Sequence, residues 1–182
     1  MNVRRCPLAG VLVFEAAPAA DERGSFARVF DAAELHAAAG VDVAFPQWST
    51  ATNAASGTLR GLHFAAAPHT EAKVVRVVAG AVFDVVLDLR AASPTYGRWA
   101  SFTLRGDGGE TLFVPEGFAH GYQTLVPDTV VLYGISRPYV ATASRGVDPF
   151  DPALAIPWPL AVSAIAERDR GFPPFARTEA LR

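Results

Sequence analysis

In the run from Val74 to Leu89, side chains alternate with a period of two, so every second residue faces the same way, as in a half-buried β-strand. The run belongs to a longer stretch, residues 57–88 (GTLRGLHFAAAPHTEAKVVRVVAGAVFDVVLD), which sets Arg60, His63, Lys73, Arg76, Asp84 and Asp88 among Val, Leu and Phe. The alternation puts Lys73, Val75 and Val77 on one face, and Ala81, Phe83 and Val85 on a second set of alternating positions. An unpaired polar group on an interior face costs roughly 1–3 kcal/mol of desolvation. Some of the six charged or titratable residues are therefore expected to line a pocket.

The rest of the chain repeats the theme. Strands are predicted at Val11–Phe14, Phe26–Phe30, 43–48, 58–64, 73–78, 81–88, 99–104, 110–114, 120–125 and 129–136. Gly, Pro, Asn and Asp punctuate them, at Asn53–Gly57, Ala79–Gly80 and Gly106–Gly109 for example. One helix is signed over 32–39, with Asp31 as N-cap, Glu34 as capping-box partner, Gly40 as the stop, and Phe30 with Leu35 as a hydrophobic staple. Many short strands with one or two short helices indicate an all-β sandwich or barrel. A chain of 182 residues, half of them hydrophobic, fits a single domain over 1–182. Its Pro-rich tail from 148 to 182 reads as irregular, with one turn of helix near Ala164, and Trp48, Trp99 and Trp158 read as core.

Composition removes several classes of function. A net charge of −2 gives no basic field to draw nucleic acid. The single cysteine, Cys6, excludes an intramolecular disulfide and finger-type zinc. The apolar run Ala9–Ala17 is too short for a membrane span and is broken by Gly10 and Glu15, and no secretory signal is seen. A cytoplasmic, reducing location is the expectation.

Two spacings resemble the paired motifs of cupin jelly rolls: Gly57 with His63, then Gly109, Pro115, Gly117 and His120. A metal-binding cupin carries a second histidine two positions after the first, where this chain has Ala65. Only His63 and His120 would remain, with Glu71 as a doubtful third, whereas a catalytic metal wants three protein ligands. No metal and no cofactor are therefore expected, and acid–base chemistry in the barrel cavity is.

GTLRGLHF, Lys73, VFDVVLDLR, SPTYGRW, VPEGFAHGYQTL and LYGIS, with DERGSF before them and IPWP and ERD after, together resemble dTDP-4-dehydrorhamnose 3,5-epimerases over roughly residues 2–174. The resemblance implies a nucleotide-linked 4-keto-6-deoxy sugar as substrate, whose ketone acidifies the protons on C3 and C5. It implies His63 as base, Tyr133 as acid, Lys73 beside the developing enolate oxygen, and Asp169 as the partner of His63. Asp84 is a second carboxylate that could serve either His63 or His120, and spacing does not choose between them. Arg60 would grip the diphosphate, with Arg23 and Arg168 as further phosphate contacts. Tyr139 would stack on the nucleotide base, and Phe26, Gln47 and His120 would complete the substrate contacts.

The chain departs from the family pattern at Arg28, where a glutamate is usual, at Ser49, where asparagine is commoner, and at Pro149, where a tryptophan is expected. These bear on the nucleotide and the sugar rather than on proton transfer. Alternatives are an epimerase of C3 or C5 alone on a related nucleotide sugar, a non-catalytic sugar-nucleotide-binding cupin, and a metal-dependent oxygenase, which Ala65 disfavours. The resemblance also implies a homodimer with exchanged N-terminal strands. Val11–Phe14 would be the exchanged strand, carrying Arg23 or Phe26 to the partner's pocket.

Overall fold

The alternating run resolves into two strands that turn at Gly80, each placing one face inside the molecule. The computed structural model describes residues 1–178, so residues 179–182 of the expected irregular tail lie outside the described residues. In chain order the elements begin with β1 (Asn2–Arg5), β2 (Leu12–Glu15), β3 (Ala19–Asp21), β4 (Gly24–Phe26) and helix α1 (Ala32–Ala39). They continue with β5 (Gln47–Asn53), β6 (Thr58–Ala65), β7 (Lys73–Ala79), β8 (Ala81–Asp88) and β9 (Trp99–Arg105). Then follow β10 (Glu110–Val114), β11 (Phe118–Thr124), β12 (Thr129–Ile135), β13 (Ser144–Gly146), β14 (Ala164–Ile165) and a short α2 (Glu167–Arg170).

One sheet has the order β1-β2-β10-β7-β12-β5, and the other β13-β6-β11-β8-β9 with β14 parallel to β6. Face to face they form the expected all-β, cupin-like jelly roll. Val75, Val77 and Val131 of the first sheet meet Val82, Val86, Phe118 and Tyr122 of the second in one apolar core. The same period of two sends Leu12, Phe14, Val74 and Phe113 to the outer face of the first sheet, where Leu35 of α1 covers them. Leu62, Phe64, Val85 and Leu87 leave the second sheet on its outer side and are covered by Val147 and, from the tail, Leu154. The tail follows an irregular path because it fills that surface, not because it lacks contacts.

Helix α1 has the expected bounds. Asp31 Oδ1 accepts from the Ala33 N–H at 2.8 Å, and Gly40, left-handed at φ 67, donates to the His36 carbonyl. Phe30 packs in the same cluster as Leu35.

Several expectations need correction. The strand drawn over Phe26–Phe30 ends at Phe26, because Arg28 turns back to pair with Asp31 and Phe30 packs beneath the helix. The strand drawn over 43–48 begins at Gln47 and runs to Asn53; among the described residues it pairs only with β12, at the sheet edge, where Ser49, Thr50 and Thr52 face solvent. Trp48 is 47% exposed, outside the core. Residues Leu12–Glu15 lie between β1 and β10 of their own chain. Near Ala164 the chain forms β14, and the helical turn comes at α2.

Candidate active site

Arg60 and His63 are three apart, a spacing that would put them on opposite faces of a regular strand. The β6–β11 register shifts between them: His63 faces His120, Arg60 faces Tyr122, and two residues of β6 oppose the single Gly121. This bulge returns both side chains to one cavity. It needs glycine on both strands. A Cβ on Gly61 (φ 125) would stand 2.6 Å from the Gly121 Cα, and one on Gly121 would stand 2.6 Å from the Arg60 carbonyl oxygen.

The cavity, about 290 Å³, opens between the sheets. Arg60, His63, His120 and Tyr122 enter from the second sheet, and Lys73 and Tyr133 from the first. The exposed Tyr139 and Arg168 also line it.

His63 Nε2–H donates to Asp169 Oδ1 at 2.9 Å, while Asp169 Oδ2 accepts from the Gly61 N–H at 3.1 Å. Asp169 is buried on α2, and the adjacent Arg168 brings Nη2 to 3.2 Å from the same imidazole nitrogen. With Nε2 committed to the carboxylate, Nδ1 is the free basic nitrogen. Burial pushes the His63 pKa below its usual value; Asp169 opposes the shift, and the Lys73 and Arg168 cations add to it. Asp169 is itself held below the usual carboxylate range: burial raises it, but the bonds from His63 and Gly61 outweigh that.

The second carboxylate has a separate partner. Asp84, fully buried on β8, accepts from His120 Nε2–H at 2.8 Å. Its other oxygen, Oδ1, is buried without a hydrogen-bond partner among the described residues. Asp169 thus pairs with His63, and Asp84 with His120.

Lys73 Nζ donates to the His63 carbonyl at 3.3 Å and pairs with Glu71 at 3.3 Å. Tyr133 stands between His120 and Tyr122, with ring centres 6.3 and 6.4 Å away. Burial, the neighbouring Tyr122 and the Asp84 charge raise its pKa well above 10, against a smaller opposing effect of Arg60. It is a phenol that keeps its proton at neutral pH. Arg60 Nε donates to Asn53 Oδ1 at 2.8 Å, and the Tyr122 hydroxyl donates to the same oxygen at 3.3 Å.

Gln47 Oε1 accepts from the Tyr139 N–H at 3.0 Å and so fixes the loop that presents that ring. Arg23 and Phe26 do not reach this chain's cavity. They lie on the projecting β3–β4 hairpin, where Arg23 pairs with Asp21 and Phe26 is 80% exposed. Asp88 is structural: it is bound by Arg90, Ser93 and Thr95. Arg76 donates to the Gly109 carbonyl at 2.9 Å on the outer side. Tyr122 and Asn53 were not foreseen in the site. Tyr122 lies two residues from His120 on a strand and could have been placed on its face from the period alone. Asn53 read only as a turn residue, and nothing in the sequence points its amide inward. No cluster of three or more His, Cys, Asp or Glu side chains positioned for a metal occurs among the described residues.

The chain is similar to known proteins along most of its length. A family model described as dTDP-4-dehydrorhamnose 3,5-epimerase matches residues 5–177. The dTDP-4-dehydrorhamnose 3,5-epimerase of Sinorhizobium fredii is 42% identical over 84% of this chain and 78% of its own. The dTDP-4-dehydrorhamnose 3-epimerase of Streptomyces niveus is 34% identical over 93% of this chain and 82% of its own. A crystal structure of the Bacillus anthracis 3,5-epimerase with TDP and PPi bound superposes with a TM-score of 0.91 at 37% identity, covering 95% of this chain and 98% of that one.

Proposed function

The chain belongs to the dTDP-4-dehydrorhamnose 3,5-epimerase family of isomerases, and on that premise we propose that it inverts C3 and C5 of a dTDP-linked 4-keto-6-deoxyhexose in deoxysugar biosynthesis. His63 Nδ1 takes the proton from the carbon beside the ketone, and the charge moves onto the C4 oxygen. The Lys73 ammonium stabilises that oxygen more in the transition state than in the ground state. Tyr133 returns a proton from the opposite side, the carbon–hydrogen bond forms, and the ketone is restored. No cofactor is required, because the substrate's own ketone makes the proton acidic.

The observation that carries this reading is that His63 and Tyr133 project into one cavity from opposite sheets, with Lys73 beside them. Asp169 orients the base, and Asp84 orients His120 toward the sugar. Arg60 and Arg168 hold the diphosphate, and Tyr139 stacks on the base where the cavity opens. A cavity of about 290 Å³ suits the sugar and leaves the nucleotide at its mouth. The homodimer is part of the same proposal. The projecting β3–β4 hairpin, with its largely exposed Phe26, supports a role in completing a partner's pocket with Arg23 and Phe26. A monomer by light scattering would end that part. The single free cysteine suits a reducing, cytoplasmic setting, and no helix among the described residues is long and apolar enough to cross a membrane.

Incubation with dTDP-4-keto-6-deoxyglucose in heavy water, read by NMR at each ring carbon, tests the function. Deuterium at both C3 and C5 is expected. Deuterium at one carbon alone selects the single-centre reading that the Streptomyces niveus relative favours, and none at either overturns the proposal.

A further inference from the structure

Asn53, the last residue of β5, is buried with its amide held in one orientation: Nδ2 donates to the Ala51 carbonyl at 3.2 Å and to the Thr129 carbonyl at 3.0 Å. Its oxygen therefore faces Arg60 and Tyr122, two donors that share it. The Arg60 guanidinium holds the shorter bond, 2.8 Å, and the Tyr122 hydroxyl is left with 3.3 Å, long for an O–H donor. Turning that hydroxyl away costs little, because Arg60 keeps Asn53 Oδ1 satisfied.

The ring of Tyr133 is the nearby alternative, 6.4 Å between centres and tilted by 32°. Tyr133 faces Tyr122 and His120 on β11, Asp84 on β8 and Arg60 on β6. His120 and Asp84 cannot assist an anion forming on its oxygen. His120 Nε2–H is committed to Asp84 and the Asp84 carboxylate repels negative charge, while Arg60, bound to Asn53 through Nε, favours the anion by its charge. The loosely held Tyr122 hydroxyl is the neutral donor beside that oxygen; at rest, bonded to Asn53, it raises the Tyr133 pKa, so it can assist the anion only by turning.

We propose that Tyr122 is a positioning residue for Tyr133, its hydroxyl turning from Asn53 Oδ1 to the Tyr133 oxygen as that phenol gives up its proton. In this step the Tyr133 O–H bond breaks, its electron pair stays on oxygen as phenolate, and a C–H bond forms on the sugar as the enolate becomes the ketone. Tyr122 keeps its own proton throughout, and water reprotonates Tyr133 before the second carbon is inverted. The inference rests on Tyr133 acting as the acid.

The test separates the two ideas. Tyr133→Phe is measured first, in heavy water with the same 4-keto sugar nucleotide: if it still inverts the sugar at the wild-type rate, the acid assignment itself fails. With that assignment standing, Tyr122→Phe is expected to lower the ratio of inverted product to exchanged deuterium roughly 10-fold, the loss of one hydrogen bond to a charged group. A packing defect would lower exchange and inversion together, and an unchanged ratio overturns the proposal. Replacement of Tyr122 by 3-fluorotyrosine, a more acidic phenol of nearly the same shape, should raise the ratio. A fall or no change there also overturns it, and this arm decides alone if Tyr122→Phe does not fold.

Discussion

His63 on β6 and Asp169 on α2, 106 residues apart in sequence, are joined through Nε2 and Oδ1 at 2.9 Å, and the second oxygen of Asp169 is taken by the backbone of the same β6 strand at Gly61. One carboxylate therefore fixes both the imidazole and the bulge that lets Arg60 share its cavity. The orientation of the imidazole is set within the fold itself.

His63→Ala is expected to remove deuterium uptake at the sugar, with a rate loss on the order of 100- to 10,000-fold, as for a general base. Asp169→Asn should lose a comparable part of the rate with the fold retained, because an amide can present its NH₂ to Nε2 and turn the tautomer over. Uptake at the wild-type rate in His63→Ala would refute its assignment.

The pH profile follows from the two opposed shifts. As the proposed base His63 acts unprotonated, and its pKa is lowered from 6.5, so kcat/KM should fall only as pH drops below that value. Tyr133 acts protonated and is raised well above 10, so it should impose no alkaline decline up to about pH 10. An acid limb centred at or above 6.5 would contradict a half-buried, neutral imidazole flanked by Lys73 and Arg168.

Gly121→Ala should cost about 1–3 kcal/mol of stability, the usual range for overpacking, because the new Cβ meets the Arg60 carbonyl oxygen at 2.6 Å rather than a yielding side-chain end. Activity should fall further than stability, since the strain falls between Arg60 and His63. Urea unfolding beside a turnover assay checks both, and a fully active variant would show that the bulge tolerates a side chain.

Much of this was legible before any coordinates. Helix α1 was, because Asp31 and Gly40 mark its ends by local chemistry, and the core strands β7 and β8 were, because alternation records two unlike faces. Edge strand β5 was not: with one neighbouring strand and solvent on its polar residues, QWSTATN carries no apolar period to read. The partners of the two histidines were not legible either. Strand register decides that Asp84 reaches His120, and a four-residue helix after a long irregular path delivers Asp169 to His63. The common cavity of Arg60 and His63 depended on a register shift that only two facing glycines hinted at.

Asp88 should be a pH-dependent stabiliser. Burial raises its pKa, but bonds from Arg90, Ser93 and Thr95 bring it down to about 2 from 3.8. A carboxylate held low in the folded state contributes stability above its unfolded value and loses it as pH falls through its folded one; the shift corresponds to about 2 kcal/mol. Asp88→Asn should therefore be less stable than wild type at pH 7 in urea unfolding, with the gap narrowing below pH 3.8. A gap independent of pH would mean that shape, not charge, holds this turn.

Lys73 is anchored from two sides, by the His63 carbonyl and by Glu71, both at 3.3 Å. Neither contact is short, so the ammonium retains donor capacity for an oxygen in the cavity, and its charge is greatest in value where negative charge develops. Lys73→Met should accordingly lower kcat by about 100- to 1,000-fold, the range found for lost oxyanion donors, with a smaller effect on KM. Glu71→Gln keeps a neutral acceptor beside Nζ while removing a negative charge from the enolate's surroundings. Its kcat should change far less than that of Lys73→Met. Were the two variants equally impaired with KM raised and kcat kept, Lys73 would be a ground-state binding group and the enolate would have to be stabilised elsewhere.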